Sequence, residues 1–540
     1  MLYLNHNLDL LHSSNHGWNF PPISPHFNSP LLCMKPTIAN YLGLADTHLG
    51  CKEHERQALL KIKQDLIDDH SLLSSWSSDQ DCCTWSRVGC SNQTGHVTKL
   101  DLSVSSCFSP RLLREFIASL SNLGHVGLGS ANFGRNIPFP FQLGNLSNLQ
   151  YLDLSGNNFN KPENLEWLPQ LSSLEYLDMS TVNLSKVNNW LHVVNKLPYL
   201  TSLHLYSCNL PNIFSIPLVN SSTSLDVLGL SNNDLTSSSS VLEWLFNSNT
   251  SVVDLDLRFN EFQGSIPDDF TRINSLAHLY LDSNEFEGEI PKAFGGMCNL
   301  KTLSLSWNYL NGQLDFIQNL TECANHSLEV LRLDGNQIMG SLPDDLTTFL
   351  SLGELSLFRN HLNGTIPVSL GKLSNLEFLY LGDNPLKGVI SEAHFSNLTQ
   401  LKYLDLSNTK LVFNFSSDWS PPFQLDTIMM KSCQLGPRFP KWLQTQKNFH
   451  RLDISNSSIS DTLSNSNWIF SSQVLLMNLS HNQLSGHVPN LLRDFSLFPI
   501  LDLSSNKLEG EIPRFLFKAV DLDLSKKYVF KASPIPMYSH

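Results

Sequence analysis

Apolar and polar residues alternate in short stretches that recur about every 25 residues along most of this chain. A typical stretch, residues 149–159, has leucine at its first, fourth and sixth positions, asparagine at its ninth and phenylalanine at its eleventh. The alternation predicts a short strand whose leucines point inward and whose intervening side chains point outward. Such stretches begin at Val97, Leu123, Leu149, Leu174, Leu200, Leu225, Val252, Leu276, Leu300, Leu328, Leu352, Leu376, Leu401, Leu425, Phe449, Val474 and Phe498.

The second half of many units reads L-x-G-x-I-P or a close variant, as in residues 286–291 and 362–367. Glycine permits backbone angles that a side chain would forbid, and proline ends local pairing. A unit of this length buries its apolar face only against neighbouring copies, so the period is the signature of a leucine-rich repeat. It predicts an α/β solenoid: a right-handed horseshoe whose parallel sheet lines the concave side.

The asparagines at the ninth position are predicted to be structural. Their amides can bond backbone groups of adjoining turns that would otherwise be buried without partners. Cys208 and Cys433 occupy the same position and are interpreted as substitutes for asparagine. The ten members of this asparagine ladder are Asn157, Asn233, Asn260, Asn284, Asn308, Asn336, Asn360, Asn384, Asn482 and Asn506.

An acidic composition narrows the classes of function. The formal net charge is −14 and the pI is near 5.7, and Lys and Arg form no cluster, so nucleic acid is not an expected partner. No apolar run reaches the roughly 18 residues of a membrane-spanning helix. The motifs of kinases, zinc proteases, P-loop proteins and nucleophile-elbow hydrolases are missing from the sequence. We therefore expect no enzymatic activity, no cofactor and no metal.

Four cysteines precede the first repeat, with spacings unlike those of a zinc site. Adjacent cysteines do not easily bridge each other, so we expect Cys51 to pair with Cys82 and Cys83 with Cys90; four buried thiols are the alternative. A further bridge between two cysteines one coil apart is an open question, with unbridged thiols as the alternative. That pair is Cys298 and Cys323, whereas Cys33 and Cys107 have no evident partner.

Twelve N-x-S/T sequons predict a glycosylated fold that enters the secretory route. By contrast, residues 1–50 lack the basic start and apolar stretch of a secretory signal, so we interpret them as a degenerate leader or a disordered segment. The predicted division continues with a cap at 51–96, about 17 repeats and a degenerate last one at 97–524, and a disordered tail at 525–540. The sequons are Asn92, Asn145, Asn183, Asn220, Asn249, Asn319, Asn325, Asn363, Asn397, Asn414, Asn456 and Asn478.

The residues before the first repeat carry a family resemblance. CKEHERQALLKIK from Cys51, SSW from Ser74 and DCCTW from Asp81 look like the N-terminal cap of plant leucine-rich-repeat proteins. With the L-x-G-x-I-P units, the chain resembles the plant receptor-like proteins, including the fungal-xylanase-receptor group. Arg87 stands where that family usually has glycine. The family's further repeats, C-terminal cap and membrane helix are missing, so we expect a truncated gene product.

The resemblance implies a recognition function. We expect the ectodomain of a plant cell-surface receptor-like protein in defence or developmental signalling. It would bind a peptide, a glycan or a secreted protein and signal through a partner receptor kinase. Two alternatives stay open: a soluble apoplastic inhibitor or decoy, similar to the polygalacturonase inhibitors, and a non-functional fragment.

The candidate contact surface is the outward face of the strands, because aromatic residues and arginine dominate binding energy at protein interfaces. A glycan on Asn478, at an outward strand position, would block its stretch of this face. Some outward aspartates belong to the recurring Leu-Asp-Leu-Ser motif of the repeat, so we expect them to carry little information about the ligand. They are Asp101, Asp153, Asp178, Asp405, Asp453 and Asp502. The candidate contacts are His204, Tyr206, Asp256, Arg258, His278, Tyr280, Trp307, Arg332, Phe358, Arg359, Phe378 and Tyr380.

Overall fold

The computed structural model describes residues 50–68, 70–103, 109–110, 117–134, 139–214, 224–247, 251–314, 317, 327–463, 473–489 and 497–525. Several sequence-based expectations lie outside this part of the chain. They are most of the predicted leader and tail, and Cys33, Cys107, Cys323, Asn220, Asn249, Asn319 and Asn325.

The N-terminal cap is built on the helix Glu53–Asp65, whose apolar side faces the first coil. Glu55, on that helix, is fully buried. Its carboxylate accepts a hydrogen bond from the backbone N–H of Val97 at 2.9 Å and lies 2.9 Å from Nδ1 of His96. A buried carboxylate needs such partners, so these contacts fix the helix to the first strand of the repeats.

Disulfide bonds hold the rest of the cap. Cys51 is bonded to Cys82 and Cys83 to Cys90, so both predicted pairings are confirmed. Farther along the chain, Cys298 is also disulfide-bonded. The partner considered for it from the sequence lies outside the described residues.

The departure from the family pattern at Arg87 has a clear local structure. Its backbone is left-handed, with φ at +70°, which explains why glycine is usual at this position. The guanidinium compensates by donating to the backbone carbonyls of Asp101 and Ser103, both at 3.3 Å. The side chain therefore ties the cap to the first coil.

One long sheet runs through the repeats. Its first strand is antiparallel to the second, and every later strand pairs in parallel with its predecessor. Among the described strands, the first and the last each have a single neighbour, so the sheet is open at both ends. Its nineteen strands are Val88–Cys90, Val97–Asp101, His125–Gly127, Tyr151–Asp153, Tyr176–Asp178, Ser202–His204, Val227–Gly229, Asp254–Asp256, His278–Tyr280, Thr302–Ser304, Val330–Arg332, Glu354–Ser356, Phe378–Tyr380, Tyr403–Asp405, Thr427–Met429, Arg451–Asp453, Leu476–Asn478, Ile500–Asp502 and Asp521–Asp523.

The L-x-G-x-I-P halves form short second sheets, which we call the lateral sheets. Gly264 and Gly288 lie there with φ at +81°, a conformation that favours glycine. The strands in these halves are Gln263–Ser265, Glu285–Gly288 and Tyr309–Leu310; Met339–Gly340 and His361–Leu362; Lys387–Ile390 and Lys410–Phe413; and Ser485–Gly486 and Lys507–Leu508. A separate antiparallel pair near the cap joins Leu66–Ile67 and Ser109–Pro110.

Helical turns complete the coils on the convex side. Among the described turns, Trp190–Val194 and Val241–Asn247 are α-helices. No described helix has the length and apolar character needed to cross a lipid bilayer. A 3-10 helix, Cys82–Thr84, lies in the cap. Those of the described coils include Ile117–Ser119, Phe141–Asn145, Leu168–Gln170, Asp268–Arg272, Lys292–Gly296, Val368–Lys372, Glu392–Phe395, Lys441–Thr445 and Arg514–Lys518.

The asparagine ladder runs through the buried turns of ten coils. Asn284 is typical: Nδ2 donates to the carbonyls of Leu257, in the preceding coil, and of Leu281, both at 3.0 Å. Its Oδ1 accepts the backbone N–H of Phe262, also in the preceding coil, at 3.1 Å. Cys208 takes the same place, and its thiol lies 3.2 Å from the carbonyl oxygen of Met179. Each coil that has such a residue is therefore bonded to the one before it.

Candidate functional site on the concave sheet

Parallel pairing aligns the outward side chains of successive coils into rows. In the coils after the cap, row A contains the first residue of each strand, row B contains the third, and row C lies two residues beyond row B. We call residues 254–380 the middle coils. There, row A holds Asp254, His278, Thr302, Val330, Glu354 and Phe378; row B holds Asp256, Tyr280, Ser304, Arg332, Ser356 and Tyr380; and row C holds Arg258, Asp282, Ser306, Asp334 and Phe358.

Two arginines of the middle coils are held by carboxylates. Arg258 donates from Nε and from one terminal nitrogen to the two oxygens of Asp256, at 3.0 and 2.8 Å. Arg332 donates in the same way to Glu354 of the next coil, with both distances 2.7 Å. The arginine side chains are 20% and 25% exposed. Because such bidentate pairs are strong and directional, both guanidinium groups are fixed in place on the sheet.

Aromatic rings pack beside these ion pairs. The guanidinium carbon of Arg258 lies 4.9 Å from the ring centroid of Tyr280 in the next coil, within the range of a cation–π contact. Burial raises the pKa of the Tyr280 hydroxyl, so the ring stays neutral. His278, on the same strand, places Nδ1 3.0 Å from Oγ1 of Thr302. These rings and hydrogen bonds make the middle of the face rigid and amphipathic.

Trp307 and Arg359 lie at the rim, one residue beyond row C. Both have left-handed backbone, with φ at +57° and +54°, a conformation that bulky side chains rarely adopt. The guanidinium carbon of Arg359 is 5.5 Å from the indole ring of Trp307. Between them lies Gly335, where a Cβ atom would come within 2.6 Å of the indole. The same conformation recurs at this position in other coils, for example at Phe259 and Ser283, so it belongs to the turn of the repeat, and here it sets a ring and a cation side by side.

Row C of the middle coils contains two carboxylates that bond to neighbouring coils. Asp282 accepts from the hydroxyl of Ser304 at 2.5 Å and from the backbone N–H of Ser306 at 3.0 Å. Asp334 accepts from the Ser306 hydroxyl at 2.9 Å and from the N–H of Phe358 at 3.0 Å. Burial raises the pKa of both carboxyls, and that of Asp334 to about 6. Within the described part of the chain, Oδ2 of Asp282 has no hydrogen-bonding partner.

Not every predicted contact residue presents its side chain outward. Asp256 is only 5% exposed and is bonded to Arg258, so it positions the arginine rather than facing a ligand itself. Tyr206 lies across Gly229, where a Cβ atom would come within 2.2 Å of the ring. Nδ1 of His204 is 3.2 Å from the Tyr206 hydroxyl. These half-buried rings extend the face toward the cap.

The far end of the middle coils is aromatic. Phe358, Phe378 and Tyr380 are all half-buried on neighbouring coils. The ring of Tyr380 lies 4.4 Å, centroid to centroid, from that of Tyr403 in the next coil. Burial raises the pKa of both tyrosine hydroxyls, so both rings are neutral.

Comparison with known proteins identifies the family. The family described as Leucine rich repeat N-terminal domain matches residues 52–91, and Leucine Rich Repeat matches residues 148–171, 275–297 and 327–349. Receptor-like protein EIX1 of Solanum lycopersicum is 35% identical over 85% of this chain and 55% of its own length. The chain is a plant leucine-rich-repeat receptor-like protein. Receptor-like protein EIX2 of the same plant is also 35% identical, over 84% of this chain and 54% of its own.

Solved structures agree on the fold of this receptor-like protein. The crystal structure of PEPR1-AtPEP1 superposes with a TM-score of 0.54 at 24% identity, covering 88% of this chain and 72% of that one. The plant peptide hormone receptor RGFR1 in complex with RGF2 gives 0.53 at 21% identity, covering 83% and 72%. The leucine-rich-repeat solenoid predicted from the sequence is confirmed. The chain spans about half the length of the curated relatives it matches.

The receptor-like protein also has an aromatic row that the sequence analysis missed. His125, Tyr151 and Tyr176 occupy row A in three successive coils, with nearly parallel rings and centroids 4.1 and 4.3 Å apart. His204, in row B of the next coil, continues the cluster of rings, 5.2 Å from Tyr176. Aligning the repeat units would have revealed His or Tyr at the same strand position in each of the three coils. Glu354, the partner of an arginine in another coil, was missed as well.

The C-terminal coils of the receptor-like protein, residues 451–525, present short polar side chains instead. Asp453, Asn478 and Asp502 follow one another in row B. Each uses Oδ1 to accept the backbone N–H of the serine two residues later, at 2.9, 3.0 and 2.9 Å. These side chains are therefore satisfied within their own coil. The serines of row C are Ser455, Ser480 and Ser504.

Proposed function

We propose that this chain is the ligand-recognition part of a plant cell-surface receptor-like protein, and that the middle coils hold the contact surface. The observation that carries the proposal is the replacement of the short Asp-Ser pattern by fixed arginines and packed rings between residues 254 and 403. Since binding energy at interfaces concentrates in aromatic residues and arginine, this stretch is the best suited to hold a partner.

The rigidity of these side chains supports binding. Free arginine and tyrosine side chains lose rotamer entropy when a ligand immobilises them, at about 0.5–1.5 kcal/mol each. Arg258 and Arg332 are already held by Asp256 and Glu354. A ligand therefore meets donors whose positions are set in advance. A peptide, a glycan or a secreted protein offers the carbonyl and hydroxyl oxygens that such donors bind.

Relatives and structural neighbours support the cellular setting. The curated relatives bear the name receptor-like protein, and two of the structural matches are PEPR1-AtPEP1 and the plant peptide hormone receptor RGFR1 in complex with RGF2. We place this chain on the extracellular side of the plasma membrane, in defence or developmental signalling. Recognition would be relayed by a partner receptor kinase, since the sequence carries no kinase motif of its own.

A binding measurement with matched variants tests the site. The resemblance to the fungal-xylanase-receptor group makes a secreted fungal xylanase the first probe. Tyr280→Ala, and separately Arg332→Ala combined with Glu354→Ala so that no charge is left unpaired, should each weaken binding about 10- to 30-fold. Biolayer interferometry on the secreted chain would measure this, with circular dichroism to verify folding.

The controls lie on the lateral sheets. Glu287→Ala and Tyr309→Ala change exposed side chains at a similar distance along the solenoid, and they should leave binding unchanged. Equal losses of affinity in both sets of variants, or a loss in the lateral set alone, would contradict the placement of the contact surface on the middle coils.

A further inference from the structure

Asn478 differs from every other described sequon in its location. It is the third residue of the strand Leu476–Asn478, in row B of the concave sheet. Among the described residues, no other N-x-S/T asparagine lies in rows A to C. The others lie in the cap, at the rim, in turns or beside the lateral sheets, and they are Asn92, Asn145, Asn183, Asn363, Asn397, Asn414 and Asn456.

The local geometry leaves the right atom available. Oδ1 of Asn478 accepts the backbone N–H of Ser480 at 3.0 Å and its hydroxyl at 2.7 Å. These bonds use the amide oxygen, so they do not engage the nitrogen that would carry a sugar. The side chain is half-exposed on the sheet. Ser480 is also the hydroxyl residue that completes the sequon.

The surroundings provide space for a sugar. Ser455, Ser480 and Ser504 form row C around Asn478, and all three are short and buried. In the middle coils, row B is occupied by side chains as large as Tyr280 and Arg332. The floor beneath Asn478 is therefore shallow and polar, which suits a saccharide better than a close-packed protein side chain.

We propose that Asn478 carries an N-linked glycan that stands inside the curve of the sheet and closes the C-terminal coils to ligands. In the transfer step, Nδ2 bonds to C1 of the reducing-end sugar of a lipid-pyrophosphate-linked oligosaccharide. The bond from C1 to the pyrophosphate oxygen breaks, the lipid pyrophosphate leaves, and a base of the transferase takes the amide proton. A glycan that closes the C-terminal coils would confine ligand recognition to the coils before residue 429. This restriction of the binding surface rests on the proposed function.

The position predicts a distinct glycan structure. Processing enzymes must reach the outer mannoses, and a glycan enclosed by the curved sheet is harder to reach than one on the outside of the solenoid. We expect Asn478 to retain an oligomannose glycan, whereas Asn397, an exposed residue of a convex turn, carries a processed one. This difference arises from the fold and does not depend on any ligand.

Site-specific glycopeptide mass spectrometry of the full chain, secreted from plant cells behind a cleavable leader, tests this directly. The expected result is high occupancy at Asn478 with an endoglycosidase-H-sensitive glycan, beside resistant glycans at Asn397. An unmodified Asn478 overturns the proposal, and so does a fully processed glycan there. Neither result bears on whether Tyr280 and Arg332 bind a ligand, so the two proposals can fail independently.

Closure is tested with a variant that the chain itself suggests. Asn478→Asp removes the sequon but restores the residue that Asp453 and Asp502 place in row B with the same backbone bond, so the fold should persist. A cysteine introduced by Ile500→Cys should react several-fold more slowly with a bulky maleimide than one introduced by Val330→Cys. Asn478→Asp should abolish that difference. Two results would show that the glycan leaves these coils open: equal maleimide rates at the two cysteines when Asn478 is present, or rates that Asn478→Asp does not alter.

Discussion

The middle and C-terminal coils share one backbone, but two carboxylates of the middle coils are satisfied differently from those of the C-terminal coils. In the C-terminal coils, Asp453 and Asp502 bond to their own coil. In the middle coils, Asp282 and Asp334 have moved two residues along, from row B to row C, and bond to the coil that follows. The first arrangement works in any coil by itself. The second requires a matching residue in the neighbour, so it marks coils whose sequences are adapted to each other.

The Arg332–Glu354 pair should give the largest difference between the two regions. Glu354→Ala leaves a guanidinium that is 25% exposed without its bidentate partner, and we expect a loss of about 3 kcal/mol in the free energy of unfolding. Asp502→Ala in the C-terminal coils should cost about 1 kcal/mol. Denaturant titration of both variants makes the comparison. Equal losses of unfolding free energy in the two variants would mean that the ion pair between coils contributes no more to stability than a hydrogen bond within one coil.

The pH dependence of stability should show a smaller effect with a defined sign. Burial raises the pKa of Asp334 to about 6, so the folded state keeps this proton where the unfolded chain has lost it. The stabilisation is complete only below the unfolded-state pKa of about 4 and is lost as the pH rises through about 6. About 2 kcal/mol of it is lost between about pH 4 and pH 7. Asp334→Asn should remove the contribution of this carboxyl and so reduce the slope of stability against pH in thermal unfolding measured from pH 4 to 7.

Asp405 provides a comparison for the predicted pH dependence of stability. Its pKa is also raised to about 6 by burial, although it bonds to its own coil through the N–H of Ser407 at 2.9 Å. Asp405→Asn should therefore flatten the pH profile as much as Asp334→Asn does. A response from Asp334→Asn alone would attribute the pH dependence to bonding between coils instead of burial.

Two serines give the smallest contrast. Ser306→Ala removes a hydroxyl that bonds Asp334 across coils, and we expect a loss of about 1 kcal/mol. Ser504→Ala keeps the backbone N–H through which that residue meets Asp502, so stability should be almost unchanged. Denaturation midpoints of the two variants measure this difference in stability. A larger loss for Ser504→Ala than for Ser306→Ala would contradict the stabilising role of the hydroxyl that bonds across coils.

Much of the fold could be predicted because it is periodic. The spacing of leucines located the concave strands, and the ninth-position asparagines lie buried where the pattern placed them. The cap disulfides followed from four cysteines close in sequence. These features depend on short segments, and each segment contains the information that defines it.

The candidate site was harder to predict, because its contacts join residues of different coils. Arg332 and Glu354 are 22 residues apart and meet only because parallel pairing sets Val330 against Glu354. Asp256 was placed among the contacts because it alternates outward, but its neighbour Arg258 covers it. Composition within one unit does not reveal which side chain lies above another. That order depends on coil length and register.

The asparagine ladder has a mechanical consequence. Each rung bonds backward, so a coil such as that of Asn284 is anchored to its predecessor through both the amide nitrogen and the amide oxygen. Under tension applied at the C-terminal end, the outermost rung would break first and expose the next. A coil of roughly 24 residues releases about 80 Å of extended chain. The solenoid would therefore unfold one coil at a time under force. Its length would increase in steps while the coils nearest the cap stay folded.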